Sequence, residues 1–463
     1  MNWANFLHIY QPPTQKPIWV KRIADECYRK LFKGLLEIPR VRLSLNINSI
    51  LCELLEQNGA MDVILNIKKL VERGNIELTG SAKYHAFLPL LPESEIERQI
   101  LLNEEGLNRY FGKGWKKGGF FSPEMAYSKK VAGVAERLGY RWIIIDEMGF
   151  PEGKEPKKDT VYEVEGFRDF FVFFRERNFS FKILSGSQIS TLPTIMRFLE
   201  SRLNKEEYTI TAMDGETFGH HRPGLENLLF DLLKDERIKP LAISDILEKF
   251  TKREVIEPRE STWASVPRDF QLGRPFLRWN NKDNAIQGYQ WELANMAINI
   301  VNRDEKQKTR ELLDSALHSD QFWWSSARPW WSLEMIERGA HELKAVIHES
   351  PKATMEEKKR ADELYRLIIY TGFEWQRSGL VDEISRSENE EVRERLEEKE
   401  KLFITKDEYE NMIGTLEEQM ELSANSEEYH RAAMIKDRIR EIREEMEKIE
   451  KTGENSHKGD LMF

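Results

Sequence analysis

Through its first half the chain alternates short bursts of apolar residues with longer stretches of helical spacing. Asn2 to Ile9 reads as a strand ending at His8, and Arg42 to Ile47 as a second. Ile50 to Gln57 and Met61 to Arg73 predict helices, and Ile76 to Leu78 a short strand. Pro92 to Tyr110 predicts a helix whose first turn, Glu93 to Glu97, is rich in acid, as suits the positive end of the helix dipole. Lys130 to Leu138 predicts a helix stopped by Gly139. Arg141 to Ile145 is a β-branched run into Asp146, and Phe170 to Arg175 is an aromatic strand. Ile189 to Leu203 reads as helix, and Tyr208 to Thr211 as a strand leading to Asp214. Repeated strand–helix units of this length predict a parallel sheet, closed or doubly wound.

Polar side chains recur where these strands stop: His8, Asn46, Asp146, Arg175 and Asp214. Their convergence on one rim favours a barrel, whose chemistry gathers at the C-terminal ends of its strands. Two stretches stand out there. Ala212 to Gly224 crowds Asp214, Glu216, His220 and His221 just past a strand, and Gly119 to Glu124 places a lone acid after an aromatic run. Two carboxylates delivered from two strand ends are the minimum equipment for cleaving a glycosidic bond. Arg175 suits either an ion pair that keeps Glu124 ionised or a structural salt bridge.

The texture changes after about Glu254. Trp263, Phe276, Trp279, Trp291, Phe322, Trp323, Trp324, Trp330, Trp331 and Trp375 are scattered through mostly helical sequence, predicting a helical domain that lends aromatics to the barrel mouth. Flat aromatic faces suit sugars, although Trp also fills cores. Glu388 to Glu400 is almost all Glu, Arg and Lys and reads as a solvated helix or linker. Ala432, Ile435, Ile439, Ile442, Met446 and Ile449 form a heptad stripe that needs a partner, which Tyr409 to Leu422 can supply as a hairpin. The expected divisions are 1–255 barrel, 256–385 helical domain, 386–405 charged linker, 406–451 hairpin and 452–463 disordered tail.

The net charge of −10 opposes broad binding to nucleic acid or anionic membranes, which needs a basic surface. Two cysteines, Cys27 and Cys52, build neither a disulfide framework nor a cysteine zinc site. With no secretory leader and no 18-residue apolar run in the sequence, the expected location is cytoplasmic.

Five stretches together resemble glycoside hydrolase family 57: His8 to Pro12, Glu77 to His85, Gly119 to Glu124, Met213 to Gly219, and Ser319 to Trp324. The resemblance covers roughly residues 1–350. It implies an incomplete seven-stranded (β/α) barrel with a helical C-terminal region, acting on α-glucans by retention without a cofactor or a metal. Carried over, Glu124 is the nucleophile and Asp214 the acid/base. His8, Gln11, His85, Glu216, His220, Asp320, Trp323 and Trp324 are the expected substrate-binding residues, with His220 reaching sugar or Glu124. Tyr10 stands where the family often has a second histidine. Taken alone, Glu124 also suits a place beside a helix N-cap and Asp214 a turn before Gly215. A metal-dependent deacetylase or mannosidase barrel using His8, Asp214 and His220, and a non-catalytic glucan sensor, are the alternative readings.

Glu428 to Ile439 resembles the UVR motif of excinuclease B and C subunits, through Tyr429, Ala432, Ala433, Lys436, Asp437 and Ile439. That resemblance implies association with a protein partner or with a second copy; a charged hairpin without a partner is the other reading.

Overall fold

The structure, a computed structural model, describes residues 1–184, 191–304, 306–328, 330–388, 406–425 and 429–452. Ten strands carry the first half: β1 Asn2–Ile9, β2 Leu43–Ile47, β3 Ile76–Thr79, β4 Gly119–Phe120, β5 Trp142–Asp146, β6 Thr160–Val164, β7 Phe171–Arg175, β8 Tyr208–Asp214, β9 Lys239–Leu241 and β10 Lys252–Ile256. They lie in two sheets. One runs β3-β2-β1-β8 with β9 also on β1, and the other runs β10-β6-β7-β5-β4.

Two seams join the sheets into a barrel. Gly80 N donates to Gly119 O at 2.9 Å and Phe121 N to Gly80 O at 2.9 Å, linking β3 to β4. A backbone bond from Glu176 N to Ile210 O, 2.8 Å, links β7 to β8. Strands β1, β2, β3, β4, β5, β7 and β8 therefore surround one interior, while β6, antiparallel to β7, and β10 extend beyond it. The close β3–β4 seam explains Gly80: a Cβ there would lie 2.0 Å from the Tyr140 hydroxyl.

Strand periodicity of two sorts the side chains. Ala4 and Phe6, Trp142 and Ile144, Phe171 and Phe173, and Tyr208, Ile210 and Ala212 fill the interior. The alternate positions, among them Leu7, Leu45 and Met213, pack outward under one set of helices. Ile143, Ile145, Val172 and Phe174 pack outward into a second cluster that continues through the helices Ala285–Val301, Leu333–Glu349 and Met355–Ser378. The barrel wall and these later helices thus share one apolar layer.

The C-terminal helices Lys406–Asn425 and Tyr429–Thr452 pair as a hairpin, with Tyr409 and Ile413 buried against Ile435, Ile439 and Ile442. Ile435, Ile439, Ile442 and Met446 of the heptad stripe lie in the seam, as their spacing predicts. The charged stretch departs from expectation at its first residue. Glu388 is 4% exposed, between Arg278 and Arg328. Two guanidinium groups compensate a carboxylate that the local sequence marks as solvated. Residues 389–400 of that stretch and 453–463 of the tail lie outside the described residues. Among the described residues, no helix is long and apolar enough to cross a membrane.

Candidate active site

The barrel interior turns from apolar to polar in its last layer. His8 lies beside Asn46 of β2 on one side and Asp214 of β8 on the other, Thr79 lies beside Asn46, and Asp146 beside Arg175. His8 Nδ1 and Asn46 Oδ1 are 2.8 Å apart, and Asn46 Nδ2 donates to Thr79 Oγ1 at 3.3 Å. Burial, with His85 nearby, holds the His8 imidazole well below its usual range and therefore neutral. A neutral ring that donates from Nδ1 leaves Nε2 as an acceptor.

Glu124 follows β4 on a short turn in which Glu124 and Met125 both have positive φ, 64° and 49°. Non-glycine residues in that region cost energy and persist where the surroundings over-determine them. Those surroundings are visible: Trp263 Nε1 donates to Glu124 Oε2 at 2.8 Å, and Trp263 N to Glu124 O at 3.1 Å. His85 Nδ1 lies 3.8 Å from Glu124 Oε1. Burial raises the Glu124 carboxyl to about 8; the Trp263 bond opposes the rise, while the charges of Asp214 and Asp320 add to it.

Asp214 is the one solvent-open residue of β8, standing in the cleft at the strand end. Crowding by protein raises it to about 6, with Arg175 holding it down. Asp214 and Glu124 thus share one electrostatic site although 90 residues separate them. Glu124 is raised further than Asp214. The values belong to the pair, which holds one proton between about 6 and 8.

Several of the expected residues make bonds within the framework. Arg175 Nη1 pairs with Asp146 Oδ2 at 3.3 Å and acts electrically on Asp214, which fits the structural salt bridge of its two readings. Glu216 is buried, accepting from Tyr10 N at 3.0 Å and from the Tyr28 hydroxyl. Burial and the Asp214 charge raise it to about 8. It braces β1 and the segment around Tyr28 behind Asp214. Gln11 is also buried, donating to the Tyr28 hydroxyl at 3.2 Å. His220 Nδ1 meets Glu26 Oε2 at 2.6 Å. Among the described residues, no three of His, Cys, Asp or Glu are grouped to hold an ion.

His85 closes the cleft from another side, again with a positive φ of 56°. Its ring stacks between Tyr10, 4.1 Å away, and His8, 5.1 Å away, and His8 in turn stacks on Phe121 at 4.7 Å. Burial lowers His85 to about 4, and its Nε2 is buried without a protein partner. The Tyr10 hydroxyl donates to Asp320 Oδ2 at 2.7 Å, and His318 Nδ1 meets the same oxygen at 3.1 Å. Trp323 stacks on Trp279 at 5.0 Å as part of the helical core, while Trp324 meets the exposed Trp330 edge-on at 6.5 Å.

The model of glycosyl hydrolase family 57 matches residues 7–259, which is 253 of the 463 residues. The chain belongs to glycosyl hydrolase family 57. Residues 410–445 match the UvrB/uvrC motif. The family 57 chain is 22% identical over 311 residues to an alpha-amylase of Pyrococcus horikoshii, covering 63% of this chain and 48% of that protein. It spans about half the length of that curated relative. Among solved structures it is similar to a 4-alpha-glucanotransferase from Thermococcus litoralis, at 17% identity and TM-score 0.61, covering 76% of this chain and 60% of the other. A GH57-type branching enzyme from Pyrococcus horikoshii gives 15% identity and TM-score 0.59, over 80% and 96%. At these identities the likeness is one of fold.

Sequence reasoning missed three parts of this family 57 site. Trp263 was legible only as one more aromatic in a Trp-rich region. His318, raised to about 9 by Asp320 and Glu342 in spite of the opposing effect of burial, carried no signal beyond its neighbour Asp320. The Asp146–Arg175–Arg177 group, with Arg177 Nη1 3.4 Å from Asp146 Oδ1, required the register of two strands.

Proposed function

We propose that this family 57 chain is a retaining enzyme acting on α-glucans, with Glu124 as nucleophile and Asp214 as acid/base. The observation that carries the reading is one cleft served by two carboxyls from different strand ends, Glu124 raised by burial and Asp214 by the protein crowded around it, each sensitive to neighbouring charge. In the first step the Glu124 carboxylate attacks the anomeric carbon. The glycosidic bond breaks, and the leaving oxygen takes the Asp214 proton. In the second step Asp214, now ionised, removes a proton from water or from a sugar hydroxyl, whose oxygen displaces Glu124. Water gives hydrolysis and a sugar hydroxyl gives transfer.

The shared proton has to reside on Asp214 for the first step. Positive charge growing at the anomeric carbon favours Glu124 as carboxylate, and the Trp263 donor favours the same form. A glycosidic oxygen beside Asp214 offers its proton an acceptor. The neutral His8 and His85 add hydrogen-bonding groups without adding charge.

The C-terminal hairpin serves association with a protein partner or a second copy, on the strength of its motif. A cytoplasmic setting accompanies the reading, since Cys27 and Cys52 are buried free thiols.

Incubation with maltoheptaose, followed by product analysis, tests the activity and separates hydrolysis from transfer. Glu124→Gln is expected to lose about 10³-fold or more in kcat. Asp214→Asn is expected to fail on poor leaving groups while retaining activated aryl glycosides. Near wild-type rates for Glu124→Gln, or equal losses on both substrates for Asp214→Asn, would refute the assigned roles.

A further inference from the structure

Glu388 lies in helical residues 380–388, well beyond the matched family region, yet it is among the most buried acids of the chain. Its Oε1 accepts from Arg278 Nη2, and its Oε2 from Arg328 Nη1 at 2.9 Å. Arg278, itself 5% exposed, also donates from Nη1 to Asp269 Oδ2 at 2.8 Å. That same oxygen accepts from Val266 N at 2.9 Å. Upstream of Val266, the Ser265 hydroxyl accepts from Thr262 N at 2.8 Å and donates to Pro275 O at 3.1 Å. Trp263 lies inside this bonded loop, and its indole holds Glu124. The second arm reaches Arg328, just past the helix Asp320–Trp324 that presents Asp320 to Tyr10.

Two acids and two guanidinium groups thus balance in a buried cluster, and its one remote member is Glu388. Buried ion pairs give little net stability but fix one arrangement, because removing a partner strands a charge. Both segments that Glu388 ties together end on cleft residues.

We infer that Glu388 is a positioning residue for the catalytic cleft, pinning the 262–278 and 325–328 segments so that Trp263 holds Glu124. This inference rests on the proposed role of Glu124. It makes helical residues 380–388, which lie beyond the matched family region and before the hairpin, part of the support of the cleft.

Full-length Glu388→Gln is the test. Three outcomes are expected together. The kcat on maltoheptaose falls about tenfold to a hundredfold with a smaller change in KM. The pH midpoint of carbodiimide labelling of Glu124, read by mass spectrometry, moves upward as the Trp263 bond loosens. Amide exchange quickens in peptides from 262–278 but not in peptides from β1. An unmoved labelling midpoint, unchanged exchange in 262–278, or faster exchange throughout the molecule would overturn the inference. Should Glu388→Gln not fold, Arg328→Gln, which loses one arm only, is read against the same outcomes. Labelling and exchange need no substrate, so a wild-type enzyme inactive on α-glucans would sink the proposed reaction while these two readouts still judge the latch.

Discussion

At the residue scale, the cleft is governed by how burial and neighbouring charge divide one proton between two acids. Below about 6 both Glu124 and Asp214 are protonated and no nucleophile exists; above about 8 both are ionised and no acid remains. The rate of glucan turnover is therefore expected to be bell-shaped in pH, with limbs near those values. Trp263→Phe provides the signed test. The indole donor lowers the Glu124 carboxyl, so its loss raises that group and moves the alkaline limb upward, leaving the acid limb in place. The lost bond to a carboxylate also lowers kcat by about 10- to 100-fold. An alkaline limb that stays put or moves down in Trp263→Phe contradicts this account. Tyr10 belongs to this scale as well. Its ring covers His85 and its hydroxyl donates to Asp320.

At the scale of elements, the turn after β8 that carries Asp214 depends on a close approach to β1. A Cβ on Gly215 would lie 2.4 Å from Ile9 Cγ2 and 3.4 Å from His8 O. Gly215→Ala is expected to cost about 1–3 kcal/mol, as overpacking does, and to lower kcat by moving Asp214. Thermal melting and kinetics check both parts; an unchanged melting temperature with wild-type kcat would show that the turn has room. Most strands and helices of the barrel were legible because each repeats its period within a few residues. The strand β1 ends beside His8, β5 at Asp146 and β8 at Asp214, where the polar punctuation lies. The two-residue β4 shows in the sequence only as an aromatic run before a lone acid, and its strand character comes from pairing with β5 and the seam to Gly80. The strands β6 and β10 pair parallel to each other outside the barrel and show little internal alternation of burial, so no local pattern announced them.

At the scale of the molecule, the catalytic body and the hairpin have different internal cores. Tyr409, Ile413, Ile435, Ile439 and Ile442 bury one another within the helix pair. Deleting 406–463 is expected to leave kcat and KM on maltoheptaose within about twofold, as for separable modules, and to alter only sedimentation or partner capture. A truncated protein without activity would join the hairpin to the catalytic unit. The truncation retains Glu388, so it also distinguishes the hairpin from the buried latch that precedes it. The expected helical domain lends the site Asp320 and Trp263, while Trp279 and Trp323 stack as core. An aromatic residue's chemistry suits a sugar face and a core equally, and only its neighbours decide between them.

Alternation of apolar residues, the polar residue closing each strand and the heptad stripe near the C-terminus are local properties. From them the chain by itself determined its βα units, its rim of polar ends, its two candidate carboxyls and its helical hairpin. Which charges face each other is a long-range matter. Only the tertiary structure put Arg175 on Asp146, turned His220 to Glu26, seated Trp263 on Glu124 and buried Glu388 between two arginines. Those contacts join residues from 29 to 194 positions apart through strand register or loop packing, and none is written in the neighbourhood of either partner.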